Sequence, residues 1–200
     1  MRKLVVLTFV SLDGVMQAPG GKGEDPSGGF DLEGWTVPYF DEVMGEVMGR
    51  QTGMPFDLLV GRKTYDIFAA YWPQQGDDDL FKYSKKYVVT NRPVDSSWEG
   101  TVPIGGDVVA GIRKLKQEDG PMLQVHGSSE LIQTLLANDL VDELWVKIFP
   151  VTLGKGKRLF GRGTSPAAFK LTETQSSPSG VLTASYARDG EVRLGTFGED

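Results

Sequence analysis

Residues 3–10, Lys-Leu-Val-Val-Leu-Thr-Phe-Val, are almost continuously apolar and rich in β-branched side chains. A run of this kind suits a central strand buried on both faces. The pattern returns around Leu58-Leu59-Val60 in residues 57–61, in residues 86–90, briefly in 101–104, and in 122–125. Between these runs the apolar spacing becomes helical. Phe40, Val43, Met44, Val47 and Met48 form a stripe that predicts a helix over residues 38–50, with Pro38 early and Asp41 and Glu42 in the first turn. A short helix is expected over 65–70. Val109, Ile112 and Leu115 predict another over 108–117, and Leu131, Ile132, Leu135 and Leu136 one from Ser128 or Ser129 to residue 138.

Residues 141–151 alternate in part, with Leu144, Val146 and Ile148 on one face. Residues 169–176 and 181–188 flank Pro178-Ser179-Gly180, the pattern of a hairpin. The order is strand, long loop, helix, several strand–helix units, then a hairpin. It predicts an α/β fold with a mostly parallel central sheet that ends in antiparallel strands. One domain over residues 1–190 follows, with 191–200 as a C-terminal tail or weak edge strand.

In such sheets ligands sit beyond the C-terminal ends of the strands. Four short motifs fall there: Ser11-Leu12-Asp13-Gly14, Gly61-Arg62-Lys63-Thr64, Thr90-Asn91-Arg92 and His126-Gly127-Ser128-Ser129. A helix that starts after a glycine turn directs free backbone N–H groups and a positive dipole end at a ligand, which suits phosphate. Thr64 can cap the helix after Gly61, and Ser128 or Ser129 the later one. Arg62, Lys63 and Arg92 add positive charge, and the arginine fork matches a phosphate dianion. Residues 17–35 hold six glycines and two prolines directly after the first strand, a long loop placed to cover a site, with Phe30 and Trp35 to pack it down.

Composition narrows the chemistry. The net charge of −6 gives no electrostatic support for nucleic-acid binding. The absence of cysteine excludes disulfides, iron–sulfur clusters and thiol catalysis, and fits a cytoplasmic protein. Met1-Arg2-Lys3 before an apolar run of seven residues resembles a signal sequence, but the run meets Asp13-Gly14 without a small-residue cleavage site and reads as a strand. No stretch is long enough to span a membrane, and no ligand cluster suggests a metal. A G-x-G-x-x-G fingerprint after the first strand, a phosphate-binding Walker loop and a G-x-S-x-G elbow are all missing. His126 is the single histidine, and Asp13, Asp41 and Glu42 are the carboxylates nearest the strand ends. Asp41 and Glu42 either serve chemistry or complement the helix dipole. Asp13 either serves chemistry or stabilises its turn.

Taken jointly, these motifs carry a resemblance. They are joined by Leu59-Val60 before Gly61, Val88-Val89 before Thr90, Val141-Asp142-Glu143-Leu144, and Pro150-Val151-Thr152-Leu153-Gly154-Lys155-Gly156-Lys157-Arg158-Leu159-Phe160. The chain resembles the stand-alone relatives of the C-terminal reductase domain of the riboflavin-biosynthesis protein RibD, over residues 3–188. These share the dihydrofolate reductase fold, a three-layer α/β/α arrangement.

The resemblance implies an NADPH-dependent oxidoreductase acting on a small pyrimidine- or pterin-type substrate, related to 5-amino-6-(5-phosphoribosylamino)uracil reductase. It implies that Gly61, Arg62, Lys63 and Thr64 hold the pyrophosphate and 2′-phosphate region. Thr90, Asn91 and Arg92 would line the adenosine end. His126, Gly127, Ser128, Ser129 and Glu130 would cradle the pyrophosphate at the second helix. The loop up to Trp35 would cover the nicotinamide, and Asp41 or Asp13 would assist protonation. A homodimer is also implied. Two positions depart from the riboflavin-pathway pattern: Val125 stands where a glutamate is typical, and Val15 where a basic residue is typical. The alternative is a nucleotide-binding module of the same fold with little or no catalysis, suggested by the scarcity of acid–base groups.

Overall fold

The structure is a computed structural model that describes residues 1–95, 97–161 and 164–198. Six strands lie parallel in chain order: β1 (Leu4–Ser11), β2 (Phe56–Gly61), β3 (Lys86–Val89), β4 (Thr101–Ile104), β5 (Met122–Val125) and β6 (Glu143–Phe149). The antiparallel strands β7 (Phe169–Ser176) and β8 (Leu182–Arg188) complete one sheet of order β4-β3-β2-β5-β1-β6-β8-β7. Its helices are α1 (Glu42–Thr52), α2 (Arg62–Tyr71), α3 (Val108–Gln117) and α4 (Ser129–Ala137). The expected α/β fold with an antiparallel finish is therefore present.

Burial on both sheet faces explains the continuous apolar runs. Leu4, Val6 and Val10 of β1 pack with Ile112 and Leu115 of α3 and with Leu131, Ile132 and Leu135 of α4. The alternate residues Val5 and Leu7 face Trp145 and Met48, on the side of α1. Phe56, Leu58 and Val60 of β2 meet Tyr65 and Phe68 of α2 on that same side. Each fully buried Leu, Val or Phe of this kind contributes about 1.5–3 kcal/mol relative to exposure.

Two helix starts differ from the sequence pattern. α1 starts at Glu42 because Val37–Tyr39 forms a separate 3-10 turn and Asp41 caps the helix, its carboxylate accepting from the Met44 amide at 3.0 Å. α2 starts at Arg62, directly after β2, with no intervening loop. Thr64 thus lies inside the first turn and is not the cap. Residues 191–198 form no strand, and Leu194 and Phe197 are exposed; residues 199 and 200 lie outside the described residues. None of the helices among the described residues is long and apolar enough to cross a membrane.

Candidate functional site

A cleft of about 850 Å³ opens at the C-terminal ends of β1, β2, β3 and β5. On one side its walls are the first turns of α2 and α4. On the other they are residues 7–9 of β1, Met48 of α1, and residues 16–20 of the long loop.

The two helix starts are bound to each other. The Gly61 amide donates to Ser128 Oγ at 2.7 Å, and Ser128 Oγ donates to Thr64 Oγ1 at 2.7 Å. Ser128 therefore occupies the N-cap position of α4 without capping it, and Gly61 heads α2 with no side chain to cap. Both helices keep their leading amides available to a ligand. The approach is close: a Cβ on Gly61 would come within 2.9 Å of Ser128 Oγ, and Gly127 has a φ of +149° that side chains rarely adopt. Ser128 itself is held at φ +73°, a left-handed conformation of the kind that persists where surrounding contacts enforce it.

All of the residues expected to bind a cofactor line this cleft except Asn91. The Asn91 carboxamide oxygen instead accepts from the Gly106 amide at 2.8 Å and holds the turn after β4. Thr90 Oγ1 accepts from the Arg92 amide at 3.1 Å, which folds that turn back over the sheet end. Arg62 donates from Nε to both carboxylate oxygens of Asp66, at 2.8 and 3.0 Å, and from Nη1 to the Pro93 carbonyl at 2.5 Å. Among the described residues no group accepts from the guanidinium of Arg92, which lines the cleft.

His126 is enclosed rather than charged. Its ring stacks on Phe56 with centroids 5.8 Å apart, meets Phe81 edge-on at 5.4 Å, and Nε2 pairs with Gln124 Oε1 at 2.7 Å. Burial, reinforced by Lys147, pushes its pKa down to about 3, so it lines the cleft as a neutral ring at physiological pH.

The two carboxylates expected to assist catalysis lie elsewhere. Asp13 accepts from Ser11 Oγ at 2.6 Å and from the Leu153 and Gly154 amides at 3.0 and 2.8 Å, pinning the loop after β6. The Ser11 hydroxyl, with those amides, outweighs burial and holds its pKa at about 2. Asp41 accepts from Met44 through one oxygen and from the Ser179 amide through the other at 3.0 Å, tying α1 to the β7–β8 hairpin. The Met44 amide first, then Ser179, lower its pKa against burial. Neither lines the cleft, and two ionised carboxylates are poor proton donors at neutral pH. Asp13 stabilises its turn, and Asp41 caps α1 at its positive dipole end.

Gln17, Glu24 and Asp25 of the long loop and Lys157 of the loop after β6 line the cleft. Glu24 accepts from the Gly20 and Gly21 amides at 2.6 and 3.3 Å, yet burial raises its pKa overall. Beneath the floor, Lys147 of β6 is completely buried and donates to Gln51 Oε1 of α1. Gln124 Nε2 donates to the Gln51 carbonyl at 2.8 Å, so a polar chain runs from Lys147 through α1 to His126. The glycine-rich loop signalled a site, but nothing in local spacing singled out these side chains. No cluster that could hold a metal occurs among the described residues.

The departures have structural causes. Val125 is fully buried in the main core with Leu4, Val6 and Leu131. Val15 is fully buried too, against the Gly156 turn, where a Cβ on Gly156 would come within 2.6 Å of it. A basic side chain at that position would enter a fully buried apolar cluster with Phe30 and Trp35.

Comparison with known proteins agrees with this architecture. The chain is 27% identical over 199 residues to the uncharacterized protein YyaP of Bacillus subtilis (strain 168), covering 94% of this chain and 96% of that one. A putative riboflavin biosynthesis protein from Shewanella sp. PV-4 superposes with a TM-score of 0.65 at 24% identity, over 94% of this chain and 99% of the other. Dihydrofolate reductase from Enterococcus faecalis, complexed with NADP(H), gives 0.60 at 14% identity, over 94% and 96%. These two structures share the fold. The family model of the RibD C-terminal domain matches residues 2–183, and the chain belongs to that family.

Proposed function

We propose that the chain is an NADPH-dependent reductase of a small heterocyclic substrate of pyrimidine or pterin type. The observation that carries this reading is the pair of uncapped helix starts, joined through Ser128, with Arg92 beside them. That donor set fits a dinucleotide. The amides of α2 and α4 suit a pyrophosphate, and the fork of Arg92 suits a 2′-phosphate. Ser128 acts by positioning, since its hydroxyl is already engaged by Gly61 and Thr64. Bound NADPH would supply the hydride, while the protein orients it and excludes water. Residues 7–9, Met48 and the long loop would enclose the reacting end.

The buried Val15 argues against an unmodified riboflavin-pathway substrate half. Screening pterins, pyrimidines and small carbonyl compounds for loss of NADPH absorbance tests the assignment. Turnover with one class supports a reductase. Tight NADPH binding without turnover favours the second reading, a nucleotide-binding module, which the structural roles of Asp13 and Asp41 favour. A two-fold dimer in the cytoplasm completes the proposal. Sedimentation at micromolar concentration is expected to give the dimer mass, and a monomer would contradict it.

A further inference from the structure

Asp25 sits inside the long loop, 8% exposed, between two lysines of the cleft. Its Oδ1 accepts from Lys63 Nζ, and from the amide and hydroxyl of Ser27 at 3.1 and 2.6 Å. Its Oδ2 accepts from Lys157 Nζ at 2.7 Å. The loop around it is framed by Gln17, which donates to the Asp25 and Ser27 carbonyls at 2.8 and 2.9 Å and accepts from the Lys157 amide at 3.0 Å. Lys63 is the second residue of α2, beside the uncapped amides. The contact thus joins the loop to the helix start that would receive an anion, and spends on a carboxylate the positive charge that a phosphate would use.

We propose that Asp25 is an internal competitor for the anionic part of the dinucleotide, so that a phosphate takes Lys63 only as Asp25 gives it up. Nucleotide binding and release of the loop from α2 are then one equilibrium, and the nucleotide's apparent affinity is lowered by the occupancy of the Asp25–Lys63 contact. The inference rests on the NADPH reading of the cleft. It also follows that affinity is set by a residue on the loop and not only by those at the strand ends.

Calorimetric titration of the full chain with NADPH tests it in four proteins: the parent, Asp25→Asn, Lys63→Met and the double variant. Both lysine side chains are partly exposed, at 53% for Lys63 and 36% for Lys157, so the contact is of moderate strength. Asp25→Asn is expected to tighten NADPH by about three- to tenfold. In the Lys63→Met background the same change is expected to have a clearly smaller effect, what remains coming from Lys157. An unchanged or weaker affinity in Asp25→Asn overturns the competition, as does a gain that persists undiminished without Lys63. Asp25→Ser removes the carboxylate with a smaller polar side chain, and should move affinity the same way if Asp25→Asn does not fold. Failure of NADPH to bind any of the proteins overturns the cofactor reading itself. NADPH binding equally well to the parent, Asp25→Asn and Asp25→Ser overturns the competitor alone.

Discussion

At pH 6.5 the Lys147→Met variant is expected to unfold at a higher temperature than the parent chain, and the gain is expected to shrink as pH rises toward 10. Lys147 is completely buried, and its one partner among the described residues is the uncharged Gln51 carboxamide. Burial pushes its pKa from 10.5 down to about 7. Below about pH 7 both folded and unfolded chains carry the proton, and the folded state bears the whole cost of an enclosed ammonium. Between pH 7 and 10.5 the unfolded chain holds a proton that the folded chain has released, so stability rises with pH across that window. Methionine has nearly the same length and no charge to desolvate. It leaves the Gln51 oxygen without a donor, a loss of about 1–3 kcal/mol that offsets part of the gain. A net stabilisation of roughly 1–4 kcal/mol at pH 6.5 is expected, or about 2–4 °C in Tm per kcal/mol for a domain of this size. Thermal melts of both proteins across pH 6 to 10 check it. A difference that is flat with pH, or that grows toward pH 10, would mean that Lys147 is not an uncompensated buried charge.

Lys147 also marks a limit on what the sequence could convey. Partial alternation over residues 141–151 separates Leu144, Val146 and Ile148 from Trp145, Lys147 and Phe149. A lysine on the second face reads as solvent-facing unless it is known that α1 covers that face. The helix starts were more legible, because a buried strand, a glycine turn and a helical stripe are all local signals. Residues 122–136 contain all three, and the structure has β5, the turn and α4 in that order. Asp13 and Asp41 were located beside strand and helix ends, but proximity along the chain does not determine which way a side chain turns. Their partners at Leu153, Gly154 and Ser179 lie far away in sequence. The same holds for Asn91 and for Asp25, whose contacts form only when the fold closes.

Arg92→Ala is expected to weaken NADPH by about ten- to a hundredfold while leaving NADH almost unchanged. A charge-assisted hydrogen bond contributes about 1.5–3 kcal/mol, which converts to that range of affinity. NADH lacks the 2′-phosphate, so the loss is confined to one nucleotide. Arg62→Ala is expected to discriminate less, because Asp66 and the Pro93 carbonyl already engage two of its nitrogens. Ser128→Ala provides the contrast. It unlinks Gly61 from Thr64 and disturbs both helix starts, so NADPH and NADH should weaken by similar factors. Titration of both nucleotides against the three variants separates these outcomes. Equal losses for NADPH and NADH in Arg92→Ala would remove this residue as the reader of the 2′-phosphate.

The central claim concerns where the nucleotide lies, and amide hydrogen exchange with and without saturating NADPH tests it directly. Protection is expected in three separate segments at once: the start of α2 around Arg62–Thr64, the turn at Thr90–Arg92, and the start of α4 around Ser129–Leu131. At the two helix starts a bound pyrophosphate would cover the uncapped leading amides, and at Thr90–Arg92 a bound ribose or phosphate would steady a turn whose Thr90 and Arg92 amides are already hydrogen-bonded. Exchange unchanged at both helix starts, or protection confined to another part of the surface, would contradict the account.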